Sequence, residues 1–213
     1  MTKKYVLTGP MRSGKSDLKL ALSEKLKGLG LQVCVMHEAA QYFIDLEKTS
    51  GKPESEWIVP WNKPKFLEYQ TNVFTRQNEW ERDIPNYVDA VVMDRARPDS
   101  KAYLAVEGYA NDPLYARVSE SIKRDDYSLV LMCEFIGDEM MDKNEKERRD
   151  IEKREKISDE LLKAYRSHGY EPIVVKKFYN PKDILGLSDI EKALIKKKAI
   201  EKRVEFVMKH IEM

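Results

Sequence analysis

Cysteine is scarce in this chain: two residues in 213, Cys34 and Cys133, each inside an apolar strand-like run. Two thiols cannot make a metal cluster by themselves. The three histidines (His37, His168 and His210) lie too far apart in sequence to add ligand-like spacing. Both cysteines are therefore expected as buried free thiols. Long apolar runs are missing as well. No stretch approaches a membrane span, and the polar Thr2-Lys3-Lys4 start leads into a segment too short for a signal peptide. The expectation is a cytoplasmic protein with no membrane partner. Net charge is almost absent: charged residues are 35% of the chain, yet they cancel to +1. That balance disfavours nucleic acid as a partner, although Lys196-Lys197-Lys198 forms a small basic patch. No internal repeat is visible, and the one biased segment is a charge run from 137 to 156. Hydrophobic residues at 42% exclude disorder as the overall class, and the length suits one α/β domain.

Against these absences stands Gly9-Pro10-Met11-Arg12-Ser13-Gly14-Lys15-Ser16, a G-x-x-x-x-G-K-S string followed by Asp17. Glycines let backbone N–H groups curl around a phosphate chain. The lysine reaches the β- and γ-phosphates, and the hydroxyl sits on Mg²⁺. The flanks agree. Lys4 to Thr8 is a short strand-like run, and Leu18, Ala21, Leu22, Leu26 and Leu29 recur at helical spacing. A helix starting at the loop adds its dipole to phosphate binding. The string predicts binding of ATP or GTP with Mg²⁺.

Further strands are expected at Leu31–Met36, Tyr87–Met93, Leu129–Phe135 and Pro172–Val175. Residues 47–64 read as loop, and Lys65 to Asp83 reads as a helix. Short helical character is expected from Ser100 to Glu107. A helix through Ile157, Leu161, Leu162 and Tyr165 should stop near Gly169, and a last one should cover Ile200 to Met213. Strands alternating with helices predict an α/β fold with a five-stranded parallel sheet flanked by helices. Joined to the G-x-x-x-x-G-K-S string, this is expected to be a P-loop NTPase three-layer sandwich. Ligands bind such sheets at the carboxyl ends of the strands. The phosphate loop, His37-Glu38 and Asp94-Arg95 all fall at such ends, which predicts one shared site.

Asp94 follows the apolar Ala90-Val91-Val92-Met93 run, the place where an acid holds the Mg²⁺ shell. Arg95 would be costly to bury unless paired, and a phosphate or carboxylate would pair it. Glu38 is a candidate general base. Arg148, Arg149 and Arg154, in the charge run, are candidates for a lid that closes over the nucleotide. The same run also reads as a solvated helix face. Gln70 and Gln77, with Arg76 and Glu79, lie on the helix after the Trp57–Pro64 loop, where polar groups could meet a second substrate.

Together these residues resemble the AAA-like P-loop domain family that includes the nicotinamide riboside kinase domain of bacterial NAD-metabolism proteins. The likeness runs from the P-loop and Glu38-Ala39, through Phe66, Gln70 and Gln77, to Asp94-Arg95 with Asp99 and Tyr103. It continues through Tyr165-Arg166 and Gly169-Tyr170-Glu171 to Arg203-Val204-Glu205-Phe206. A weaker likeness to thymidylate kinases rests on Asp94, Arg95, Ala102 and Tyr103. There Ala96 replaces an aromatic residue and Asp99 stands in the place of a serine. Gln41 occupies a position where the riboside kinase pattern carries arginine.

The resemblance implies one nucleoside/nucleotide-kinase-like domain over 1–213 with a lid segment at about 138–156. ATP, Mg²⁺ and a small phosphoryl acceptor (a nucleoside, a nucleotide or a nicotinamide riboside-like molecule) would be its ligands. Asp99 and Tyr103 join Gln70 and Gln77 as acceptor-side candidates. The expected assignments are Lys15 on the transferring group, Ser16 and Asp94 on the metal, Glu38 as base and Arg95 on the acceptor. The rival expectation is a regulatory P-loop NTPase that hydrolyses ATP or GTP and acts through a protein partner.

Overall fold

The computed structural model describes residues 2–135, 151–179, 184 and 186–211. Five parallel strands form one sheet: β1 (Lys3–Thr8), β2 (Val33–Met36), β3 (Ala90–Asp94), β4 (Leu129–Cys133) and β5 (Ile173–Val175). Their order is β2-β3-β1-β4-β5. The register sets Leu7 beside Asp94 and Thr8 beside Met132. The phosphate loop, Asp94 and the residues after β4 therefore all leave the sheet at the carboxyl end of its strands. The expected fold class is the observed one.

Strand chemistry decides the layers. Side chains alternate across a sheet, and here both faces are apolar because both are covered. On one face Val6, Val91, Met93 and Val130 pack against Phe66, Phe74, Leu104 and Leu114. These come from α3 (Phe66–Arg82), α4 (Arg97–Val106) and α5 (Pro113–Ser121). On the other face Tyr5, Leu7, Val92 and Leu131 pack against Leu18, Leu22, Leu26, Val204 and Val207. Those belong to α1 (Lys15–Lys27) and α7 (Asp189–Met208). The remaining helices are α2 (Ala39–Lys48) and α6 (Ile151–Arg166).

Several boundaries differ from the sequence reading. α2 and α5 were not foreseen, and α2 takes the first residues of the stretch read as loop. α7 begins at Asp189 rather than near Ile200, because Ser188 and Glu191 form a capping box: Ser188 Oγ accepts from the Glu191 N–H, and Glu191 accepts from the Ser188 N–H at 2.8 Å. Cys34 is only half-buried, since β2 is an edge strand, whereas Cys133 is buried as expected. α6 ends before Gly169, whose φ of 83° suits the expected glycine stop. Among the described residues no helix is long and apolar enough to cross a membrane.

Candidate active site

The phosphate loop is shaped by three residues in the left-handed region: Gly9 (φ 139°), Arg12 (φ 65°) and Gly14 (φ 72°). Gly9 is constrained further. A Cβ there would lie 2.5 Å from the Cys133 carbonyl oxygen, so β4 leaves room for glycine alone. Lys15 starts α1 and folds back over its own loop. Its Nζ donates to the carbonyls of Gly9 (3.1 Å) and Pro10 (2.9 Å) and to Ser13 Oγ (3.2 Å). Burial pushes the Lys15 ammonium below its ordinary value, and the neighbouring Arg95 charge pushes the same way; Asp94 and Glu38 oppose them. Around the loop Pro10 is buried, Met11 exposed and Arg12 half-buried. Asp17 is partly exposed and pairs with Lys196 on α7 at 2.8 Å.

Asp94 ends β3 directly opposite. Its Oδ2 accepts from Ser16 Oγ at 3.1 Å and pairs with Lys19 Nζ, also at 3.1 Å. Its Oδ1 is buried and has no hydrogen-bond partner. Burial raises the carboxyl's pKa, but Lys15, Lys19 and Arg95 outweigh it, so Asp94 lies below its ordinary value. A free buried carboxylate oxygen beside a serine hydroxyl is a hard-oxygen donor set that suits Mg²⁺. Among the described residues no three His, Cys, Asp or Glu side chains gather to hold a metal. An ion here would draw its other ligands from nucleotide phosphates and water, as Mg²⁺ commonly does.

Arg95 follows in a left-handed conformation, φ 72°. Its N–H continues the sheet ladder to the Leu7 carbonyl at 2.9 Å. The side chain is buried, and its Nε and NH1 are engaged. Nε donates to Glu38 Oε1 at 2.6 Å. NH1 donates to Asp99 Oδ1 at 3.1 Å and to the Gly9 carbonyl at 3.3 Å. The guanidinium lies 5.0 Å from the centre of the Tyr103 ring. Glu38 is the N-cap residue of α2 and keeps a quarter of its side chain exposed, 25%.

Asp99 is itself saturated. Besides Arg95 it accepts from Thr8 Oγ1 (2.8 Å), the Ala96 N–H (3.1 Å) and the Tyr165 hydroxyl (2.6 Å). Gln77 is likewise committed: its amide nitrogen donates to Glu81 (2.9 Å), and it lies 3.5 Å from the Arg95 carbonyl. Asp99 and Gln77, expected on the acceptor side, thus brace Arg95 in this structure. Gln70 is buried two turns before Gln77 on α3, hence on the same helix face. Tyr103 is half-buried, and the desolvation of its hydroxyl pushes the pKa up to about 12. Arg154 is buried on α6, its guanidinium 4.4 Å from the centre of the Phe135 ring just past β4. Arg148 and Arg149, with most of the expected lid segment, lie outside the described residues.

The structure therefore joins Lys15, Ser16, Glu38, Asp94, Arg95, Asp99 and Tyr103 into one connected constellation. It also supplies residues that the sequence reading did not single out as site residues. Lys19 lies one turn beyond Lys15 on the buried face of α1; a lysine among Leu18 and Leu22 was the visible signal. Arg203, noted only within the late Arg203–Phe206 string, is fully buried on α7. It donates to the carbonyls of Ser13 (2.6 Å), Lys176 (2.9 Å) and Glu134 (3.1 Å), tying the phosphate loop to β4 and β5.

Solved structures with this fold include a NadR protein in complex with NR: TM-score 0.55, 14% identity, 96% of this chain and 52% of that one. The chain thus spans about half the length of that protein. A thymidylate kinase from Ehrlichia chaffeensis matches at TM-score 0.53 and 12% identity, over 94% of this chain and 97% of that one. A deoxyadenosine kinase from M. mycoides with bound dATP matches at TM-score 0.51 and 14% identity, over 97% and 98%. At such identities the likeness speaks for the fold. No curated protein matches the chain. The sequence model of the AAA domain family matches residues 4–180, and the chain belongs to that family.

Proposed function

We propose that this protein is a P-loop kinase that transfers the γ-phosphoryl group of ATP or GTP to a small acceptor. A nucleoside, a nucleotide or a nicotinamide riboside-like molecule fits the reading. The observation that carries it is the Glu38–Arg95 pair at 2.6 Å, its guanidinium buried and its carboxylate partly exposed, with Arg95 also touching the Gly9 carbonyl of the phosphate loop. A phosphate-binding loop alone suits any NTPase. A carboxylate and a guanidinium set against it supply what a second substrate requires.

In this account the loop N–H groups and Lys15 take the phosphates, Lys15 exchanging its present carbonyl partners for phosphate oxygens. Ser16 and Asp94 would hold Mg²⁺, which when bound neutralises phosphate charge. Arg95 orients the acceptor, and Glu38 takes the proton from its hydroxyl. The acceptor oxygen forms a bond to the γ-phosphorus while the bond to the leaving diphosphate oxygen breaks. Asp99, through its four donors, keeps Arg95 in place. Gln70 and Tyr103 are proposed to line the acceptor side, and Arg154 to shield the nucleotide. The chemistry is positioning and charge neutralisation, because phosphoryl transfer leaves little covalent work for the protein.

The test is ADP release from MgATP with and without nucleosides, nucleoside monophosphates and nicotinamide riboside. Release that rises sharply with one acceptor class supports the kinase. A slow rate indifferent to every acceptor would instead favour a regulatory NTPase working through a protein partner.

A further inference from the structure

Among the described residues, the side chains hydrogen-bonded to Asp94 are Ser16 and Lys19, and the proposed chemistry has no task for Lys19. Its ammonium is 3.1 Å from Asp94 Oδ2, and the two side chains are 6% and 2% exposed. A buried ammonium is costly unless paired, so this contact is the reason a lysine is tolerated at that place in α1. The pairing sorts the two carboxylate oxygens. Oδ2 is taken by Lys19 and Ser16, while Oδ1 is left buried and unpartnered. The Lys15 ammonium also acts on Asp94 through its charge, but its hydrogen bonds go to two loop carbonyls and Ser13, so Lys19 is the lysine that holds the carboxylate directly.

We propose that Lys19 is a positioning residue: a built-in cation that fixes the Asp94 carboxylate and competes with a divalent cation for its charge. The inference rests on the reading of Asp94 and Ser16 as the metal-holding pair. It adds a consequence which that reading lacks. With Asp94 already neutralised, a divalent cation alone gains little by entering the empty protein. The ion is favoured only when nucleotide phosphates add their own negative charge. Metal therefore arrives with the nucleotide, and Lys19 sets that order. The group that makes this work is the fixed positive charge at this point of α1, so arginine should serve and methionine should not.

The experiment titrates Mn²⁺ alone into the full-length, nucleotide-free protein and follows the free-ion signal by electron paramagnetic resonance. Wild type and Lys19→Arg should both bind weakly. Lys19→Met should bind about tenfold more tightly, because the carboxylate then loses its one directly paired cation and keeps only the more distant charges of Lys15 and Arg95. The double variant Lys19→Met/Asp94→Asn should lose that gain. If Lys19→Met does not fold, Lys19→Gln, which keeps a donor to Oδ2 without the charge, is expected to show the same tightening. No tightening in the folded neutral variant, or tightening that survives Asp94→Asn, would overturn the proposal. The underlying reading fails separately: it falls if Asp94→Asn leaves the Mg²⁺ dependence of ATP-analogue binding unchanged, whatever Lys19 does.

Discussion

Arg203 offers a sharp quantitative handle on the phosphate loop. Its guanidinium bridges three backbone carbonyls from three parts of the chain, at 2.6, 2.9 and 3.1 Å, with no carboxylate among them. Arg203→Met keeps much of the volume and removes every donor. Hydrogen bonds to a charged group each contribute about 1.5–3 kcal/mol net, and a stranded buried acceptor costs about 1–3 kcal/mol. The guanidinium's own desolvation offsets part of this, so the net loss should be about 3–5 kcal/mol. For a chain of this length that corresponds to a fall in Tm of about 6–20 °C. Urea unfolding gives the free energy and calorimetry gives Tm. The same variant should weaken ATP-analogue binding, because Ser13 loses the anchor that aims the loop. Arg203→Lys should recover only part of the loss, since one ammonium cannot serve three separated carbonyls as a planar fork does. A stability for Arg203→Met within about 1 kcal/mol of wild type would refute the reasoning. Full recovery in Arg203→Lys would show that charge, not fork geometry, matters.

Gly9→Ala places a Cβ against the Cys133 carbonyl and forces alanine to φ +139°. It should cost about 1–3 kcal/mol and lower affinity for a fluorescent ATP analogue by at least about tenfold, and a wild-type titration curve would contradict the close-approach argument. Burial raises the Cys133 thiol from 9.0 to about 11 and the Tyr103 hydroxyl from 10.0 to about 12. The folded state holds these protons longer than the unfolded chain does. The associated stability is complete below about pH 9 and disappears as pH climbs toward 11–12; a urea midpoint unchanged between pH 8 and about 10.5 would oppose this. Glu38→Gln should lower acceptor-stimulated turnover by about 10²–10⁴-fold while leaving nucleotide affinity within a few-fold, and an unchanged rate would remove Glu38 as the base.

What the sequence could disclose follows from how local each signal is. Gly9 to Ser16 is a contiguous string, and Asp94 and Glu38 stand at the ends of apolar runs, so both were legible. The sheet was legible because its strands are short, apolar and separated by helical spacing. α2 was not: Ala39, Ala40, Phe43 and Ile44 do share a face against Tyr69 and Val73, but exposed Tyr42 and Leu46 and the buried Glu47 blur that stripe in the string. α5 carried a start signal, with Asp112 capping the Leu114 N–H at 2.8 Å ahead of Pro113, but it is only nine residues long. The capping box at Ser188 and Glu191 was likewise present in the string, hidden by the lysines that follow it. Arg203 belongs to another category. Its partner Ser13 is 190 residues away, and nothing local marks a guanidinium that will be buried. The same holds for Asp99, whose four donors come from Thr8, Arg95, Ala96 and Tyr165. Read along the chain it is an acid near an arginine; in the fold it is the brace on which Arg95 rests.

The central claim is transfer to an acceptor, and mass spectrometry of the acceptor after incubation with MgATP tests it most directly, with Lys15→Ala as the blank. The account predicts one nucleoside-like acceptor that gains a phosphoryl group in step with ADP formation, and no product with Lys15→Ala. ADP and inorganic phosphate accumulating together, with every acceptor unmodified, would contradict it.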